Sequence, residues 1–288
     1  MDKERMRDIP EPFLVVAQDG SPTARSASTL AIQIAQHHRL SIRGVYVIDA
    51  TLILDTYSSY QAELGNAAYA ASRPELSDRF QEHGEATLLW LESQCRAAGV
   101  AVTSTIEFGG VPEVILRQAA QATRLALGRR GHSHAAAFDS LGQHFQTIAH
   151  HVRHPVLVGG EESRSVQRIL LAYNGSEQAQ RALAWAALLQ RALSAEVVVV
   201  TIDEDLPPNR ERVKEMEARL ALNGLVNYQF VSRSGQPSAE IVATATNNKT
   251  DLIVMGGYRH GAFLEWLIGS TVNQVLRYTP VPVLVAGI

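Results

Sequence analysis

A single cysteine, Cys95, stands in the 288 residues. One thiol cannot close a disulfide within the chain, which excludes a disulfide-stapled scaffold and points to a reducing cytoplasm. Basic charge is also short: 26 Lys and Arg stand against 29 Asp and Glu, a net charge of -3. A protein that binds nucleic acid non-specifically needs basic surface to neutralise phosphates, so that class is excluded. No apolar run reaches the roughly 18 residues of a membrane helix. The opening MDKERMRDIPEP is charged where a signal segment would be apolar. No Gly-x4-Gly-Lys-Ser/Thr is present, so the chain is not a P-loop NTPase. Aromatic residues are 6%, and Trp90, Trp185 and Trp266 are expected to pack between helices rather than stack on bases. What is present, 46% hydrophobic and 19% charged residues, suits a soluble globular protein with room for about two domains.

The chain repeats itself. FLVVAQDGS (13–21) and ILLAYNGS (169–176) each read as an apolar strand ending in Asp/Asn-Gly-Ser. A helical pattern follows each, TARSASTLAIQIAQHH and EQAQRALAWAALLQRAL, with small and apolar residues three and four apart. Second strands follow at IRGVYVID and EVVVVTID, then Gly-x-Pro helix openings in GGVPEVILRQAA and GQPSAEIVATAT. Strands LALG and LIVMG end at Gly128 and Gly256, and the halves close on HPVLV and VPVLV. Asp19 to Asp49 spans 30 residues and Asn174 to Asp203 spans 29; Gly128 to Pro155 spans 27 and Gly256 to Pro282 spans 26. The halves differ after the second strand, where the first carries about 28 extra residues, TLILDTYSSYQAELGNAAYAASRPEL, read as a loop with a short helix before the helix DRFQEHGEATLLWLESQCRAAG. The polar GGEESRS (159–165) reads as the inter-domain linker.

Strands alternating with helices imply parallel β-α-β units, and runs such as VVVV (197–200) fit strands covered on both faces. The expected fold class is α/β: two doubly wound five-stranded parallel-sheet domains, strand order 3-2-1-4-5, packed as a pseudo-dimer about a pseudo-twofold axis. The expected domains are residues 1–160, with the long insertion after strand two, and residues 164–288. One continuous sheet through both halves is not expected. Ligands of such sheets sit beyond the carboxyl ends of the strands, where strand order reverses. Both Asp/Asn-Gly-Ser turns and both glycine loops belong to that edge.

With these motifs in order, twice over, nearly the whole chain resembles the universal stress protein family. Its fingerprint is Gly-x2-Gly-x9-Gly-Ser/Thr after strand four, with an Asp at the end of strand one. The resemblance implies an adenine-nucleotide-binding α/β fold, ATP binding in many members and none in others, and a regulatory role in stress survival. Tandem members pair their halves, usually through the last strands. Physically, Gly256 lets the backbone approach a ligand, and Gly269 opens a helix whose unpaired N–H groups suit a phosphate. Ser270 and Thr271 add hydroxyl donors.

Both halves depart from the pattern. In MGGYRHGAFLEWLIGST (255–271), Arg259 stands at the second glycine, where its guanidinium either blocks the loop or clamps a phosphate. The reading leans to the clamp, with Gly257 and Gly261 supplying flexibility. Asn174 replaces the strand-one acid. The first half keeps Asp19 and the spacing Gly128 to Gly131, but ten residues lead to Gly142 and Gln143 replaces the hydroxyl residue. Of the two, the second half is the expected binder. The nucleotide-binding residues that the resemblance implies are Ala172, Tyr173, Asn174, Thr201, Met255, Gly256, Arg259, Gly269, Ser270 and Thr271 in that half. In the first half they are Asp19, Val47, Gly128, Gly131, Gly142 and Gln143.

Six of ten histidines lie between His132 and His154. His150 and His154 are four apart, but Pro155 ends that helix and no cysteine or carboxylate joins them, so a polar helix face is expected rather than a metal site. ERVKEMEARL (211–220) reads as a solvated helix face. The expected protein is a cytoplasmic, tandem stress-response regulator binding ATP or another adenine nucleotide, with no metal beyond Mg accompanying the nucleotide. Its expected partners are that nucleotide and a second copy or its own other half, with neither nucleic acid nor membrane. An empty scaffold acting through protein interfaces is the alternative. A slow nucleotide hydrolase ranks last, because no general base is placed and no catalytic residue is assigned.

Overall fold

The computed structural model describes residues 12–49, 66–131, 141–152, 154–161, 164–203, 210–257 and 270–287. The strands are β1 (Phe13–Ala17), β2 (Ser41–Asp49), β3 (Val102–Gly109), β4 (Arg124–Gly128) and β5 (Val156–Gly159), then β6 (Arg168–Ala172), β7 (Glu196–Asp203), β8 (Tyr228–Ser234), β9 (Leu252–Gly256) and β10 (Val283–Ala286). The helices are α1 (Pro22–His38), α2 (Asn66–Ala97), α3 (Val111–Ala119), α4 (Gln143–His151), α5 (Glu177–Leu193), α6 (Arg210–Leu222), α7 (Pro237–Asn247) and α8 (Ser270–Tyr278).

Each half has the strand order 3-2-1-4-5 with parallel neighbours. The expectation of separate sheets is corrected, for the two join in one ten-stranded sheet through β5 and β10. These strands pair antiparallel, with Leu157 opposite Leu284 at the centre. The physical reason is the edge itself: an unpaired last strand would leave a row of N–H and C=O groups open, and a second copy of the same edge satisfies them.

Helices cover both faces. Two apolar clusters result, and each runs through both halves. One lies under α1, α2, α5 and α6 and includes Leu30, Leu91, Leu183 and Leu220. The other lies under α3, α4, α7 and α8 and includes Ile115, Phe145, Ile241 and Val275. Helices α1 and α5 begin alike, because Ser21 and Ser176 accept the N–H groups of Ala24 and Ala179 at 3.2 Å and so cap the first turn.

Two further expectations are corrected. Residues 66–76 continue into α2 instead of forming a loop with a separate short helix; Pro74 lies inside the helical stretch. The linker does not begin at Gly159, which is still in β5. Gly160 N–H donates to Ser26 Oγ at 3.2 Å and Glu161 N–H donates to Pro280 O at 2.8 Å, so this segment is fastened to both halves. Trp90 and Trp185 are partly buried against the first cluster, each under a guanidinium, Arg25 at 5.1 Å and Arg124 at 4.6 Å. Trp266 lies outside the described residues.

Candidate functional site

A cavity of about 580 Å³ opens in the first half at the carboxyl ends of β1, β2 and β4. Strand order reverses between β1 and β4, so the cavity sits at the switch point of the doubly wound sheet. Its walls are largely apolar: Val45, Val47, Val111, Ile115, Leu127 and Phe145. The floor at the sheet edge carries Asp19 and Asp49, and the rim carries Gly128, Gly131 and Gly142.

Local chemistry fixes each rim element. Gly20 has φ 81°, and its counterpart Gly175 has φ 79°, a left-handed turn that favours glycine. That turn lets Asp19 Oδ1 accept the N–H of Ser21 at 2.9 Å; Asn174 Oδ1 does the same for Ser176 at 3.1 Å. Asp19 Oδ2 faces the glycine loop, where a Cβ on Gly131 would lie 3.4 Å from it. Gly128 passes against the first turn of α1, and a Cβ there would lie 2.8 Å from the backbone nitrogen of Ala24. The loop that follows is tied to the same turn. Arg130 O accepts from the hydroxyls of Ser21 at 3.3 Å and Thr23 at 3.0 Å. Gly142 N–H donates to Arg129 O at 3.0 Å, which closes the loop on itself just before α4.

Histidines bridge the mouth from two sides. His144, in the first turn of α4, places Nε2 3.3 Å from Asp49 Oδ2. His83, on α2, places Nε2 3.3 Å from Asp19 O, and its ring meets Tyr46 edge-on at 5.9 Å. Burial, with a smaller contribution from the Asp19 charge, pushes the Tyr46 hydroxyl above its ordinary value of 10.0.

Arg129 does not face the cavity's polar end. It is buried, and its guanidinium donates to Leu276 O at 2.9 Å, to Thr279 O and to Glu161 Oε1 at 2.9 Å. The first glycine loop therefore caps the carboxyl end of α8 in the other half. Burial lowers the Arg129 pKa from its ordinary value, and the Glu161 hydrogen bond opposes that shift.

Of the sequence-predicted residues, Asp19, Val47, Gly128, Gly131 and Gly142 line this one cavity. Gln143 opens α4. In the second half, Ala172 pairs with Met255 across β6 and β9, and Gly256 packs against Gln178 as Gly128 packs against Ala24. Ser270 and Thr271 begin α8. Arg259, Gly261 and Gly269 lie outside the described residues. Tyr173 is not on the glycine-loop side: it is buried in the cluster under α5 and α6, with Gln180 Nε2 donating to its hydroxyl at 2.6 Å.

Thr201 and Val47 do not correspond. Ala17 pairs with Val45 and Ala172 with Val200, so Thr201 matches Tyr46 and Ile202 matches Val47. The one-residue difference between spacings of 30 and 29 turns Asp203 to the face opposite that of Asp49. Asp49, His83, His144 and Arg130 are functional candidates that motif reading missed. The unequal spacing was the available signal for Asp49, and the histidine-rich segment was the signal for His144. His150 and His151 end α4, while His132 and His134 lie outside the described residues. Among the described residues, no group of three or more His, Cys, Asp or Glu side chains is gathered as a metal site. No described helix is long and apolar enough to cross a membrane.

This arrangement, with a glycine-rimmed cavity at the switch point, defines a class, the doubly wound α/β folds. Within it the family is specific, for the universal stress protein family model matches residues 14–158 and again 165–287. The chain belongs to that family, as a tandem of two such domains. A universal stress protein of Synechocystis sp. is 30% identical over 162 residues, 56% of each chain, so this chain spans just over half the length of that relative. A universal stress protein of Thermus aquaticus is 34% identical over 130 residues, covering 40% of this chain and 95% of its own. In fold, the chain resembles the crystal structure of a universal stress protein from Archaeoglobus fulgidus, with a TM-score of 0.73 and 23% identity over 95% of this chain and 97% of that one.

Proposed function

We propose that this protein is a cytoplasmic stress-response regulator whose first-half cavity holds an adenine nucleoside or nucleotide without converting it. The observation that carries the reading is the convergence of Asp19, Asp49 and three glycines on one apolar cavity of about 580 Å³ at the sheet switch point. Val45, Val47 and Leu127 offer a slot for a flat base, and the carboxylates offer acceptors for ribose hydroxyls. The glycine loop, with Gly128, Gly131 and Gly142 in the lining, forms the rim beside the sugar end. Residues 1–160 and 164–288 act in this reading as one pseudo-dimeric unit, and the second half's Ser270–Thr271 end of α8 is a second candidate for phosphate.

Native mass spectrometry of the purified protein tests the reading, together with calorimetric titration of adenosine, AMP and ATP. Val47→Trp places an indole in the cavity and is expected to remove first-half binding. Absence of any adenine-containing ligand in both measurements would favour the alternative, a scaffold acting through protein interfaces.

A further inference from the structure

We propose that occupancy of the first-half cavity is coupled to the stability of α8 in the second half through the Arg129–Glu161 latch, so that a ligand in one half is felt across the seam. The inference rests on the adenine-binding reading above and concerns what occupancy does to the rest of the chain.

One stretch of four residues faces both ways. Gly128, Arg129, Arg130 and Gly131 are all in the cavity lining. On the cavity side, Arg130 O accepts from the Ser21 and Thr23 hydroxyls, and Arg129 O accepts from Gly142 N–H. On the other side, the Arg129 guanidinium crosses the seam to Leu276 O and Thr279 O. Glu161 Oε1 accepts from Arg129 Nη2 at 2.9 Å and from Arg130 Nη1 at 3.1 Å, and the Glu161 N–H is itself held by Pro280 O. The cavity rim and the cap of α8 are thus the same piece of backbone.

Helix α8 depends on that cap. It has nine residues, and a helix of that length is marginal without outside contacts. A helical carbonyl at Leu276 would be met by the N–H of residue 280, but Pro280 has none. Arg129 supplies the missing donor. The latch is not saturated, since Arg129 Nε is buried without a partner among the described residues. When the carboxyl end of α8 frays, the guanidinium loses two acceptors, and residues 128–131 lose their anchor in the second half. Fraying of α8 and loosening of the rim are therefore one linked event. A ligand that binds only the ordered rim must suppress both, by the reciprocity of linked equilibria. The link exists in a single copy. Gly257 stands at the position of Arg129 in the second half, and a Cβ there would run into Ala286 O, so no side chain reaches back to α4 from that position.

Hydrogen exchange of the full chain, followed by mass spectrometry of peptide fragments, tests the coupling. Adenosine is the probe, because it carries no phosphate for the amino end of α8. At saturating adenosine, exchange in 270–279 is expected to slow by about ten-fold or more, while exchange in α6, in the same half, changes by less than about two-fold. Val47→Trp, which fills the cavity, is expected to abolish the slowing; slowing that persists in a folded Val47→Trp would put adenosine on the second half and overturn the proposal. Glu161→Ala removes the acceptor that both guanidiniums share, at a side chain 44% exposed and outside the cavity lining. It is expected to leave adenosine affinity within about two-fold, because the frayed form is rare, and to uncouple α8 from the ligand. Without any ligand, the same variant is expected to speed exchange in 270–279 and in 128–131 together. Acceleration of one segment without the other, equal slowing of α6 and α8 by adenosine, or α8 exchange unmoved while 124–131 slows, would overturn the coupling and leave adenine binding intact. Absence of an adenosine signal in calorimetry would overturn the adenine-binding reading itself, and the ligand-free comparison would still decide whether the latch joins the two segments.

Discussion

Arg129 is the first residue after Gly128, yet its charge acts in the other half of the molecule. Replacing it by Met leaves the carbonyls of Leu276 and Thr279 without their donor, at positions where both residues are about 1% exposed. A buried acceptor left unsatisfied costs about 1–3 kcal/mol. Arg129→Met is therefore expected to lower the urea unfolding free energy by about 2–4 kcal/mol. Arg129→Lys is expected to recover little, because an ammonium cannot span three acceptors as a planar fork does. His38 behaves oppositely toward charge. Its Nε2 is buried without a partner, and burial, then Arg124 and His37, hold its pKa below the ordinary 6.5. His150 is lowered by burial and by His151. A histidine lowered in the folded state takes up its proton more readily when unfolded, so stability rises with pH through this range and falls as pH drops below about 6.5. Melting temperature is expected to fall from pH 7 to pH 5, and His38→Leu to reduce that fall. Equal slopes in wild type and variant would refute the assignment. Cys95 is a further buried group: desolvation, then Glu92, pushes its thiol to about 11, so alkylation at pH 8 is expected to require unfolding.

At the scale of elements, legibility followed burial. Helices α1 and α5 were readable because a serine cap opens each and a continuous apolar stripe follows. Strands β1, β4, β6 and β9 were readable because central parallel strands are apolar on both faces. Strands β3 and β8 were implied by the repeat but not located. They are the two edges, and VTSTIEFG and YQFVSRS are half-exposed and mixed in polarity. The insertion misled: it reads as a loop with a short helix, while α2 runs from Asn66 to Ala97 with Pro74 inside it. The site divided in the same way. The glycines and Asp19 were visible through local turn chemistry, whereas Asp49 and His83 reach the cavity through pairing register and helix placement, which a motif does not carry. Gly128 shows how tightly an element can constrain a motif residue. Its missing Cβ is what lets β4 pass the first turn of α1, at 2.8 Å from backbone and 2.7 Å from Thr23 Oγ1. Gly128→Ala is expected to cost about 1–3 kcal/mol by forcing backbone apart. It is also expected to weaken adenosine binding, read by chemical denaturation and titration on the same sample.

At the scale of the molecule, three features join the halves: the β5–β10 pairing, apolar clusters shared across the seam, and the Arg129 latch with Glu161. The centre of the pairing, Leu157 opposite Leu284, is fully buried. Splitting the chain there exposes two hydrogen-bonding edges and cuts both clusters, so neither half has an independent surface to present to water. A tandem of separate domains would unfold in two steps, the weaker half first. A molecule with one sheet and shared cores is expected to unfold as a unit. Urea titrations followed by far-UV circular dichroism and by tryptophan fluorescence are expected to coincide, because Trp90 and Trp185 report from different halves while the sheet reports from both. The slope of free energy against urea is expected to match the surface released by the whole chain rather than by about half of it. Two resolved transitions would show that the seam is weaker than either core. If the seam is decisive, Leu284→Asp, which buries a charge at the centre of the β5–β10 pairing, will separate the two probes, whereas Leu222→Asp, at an exposed site on α6, will leave them coincident.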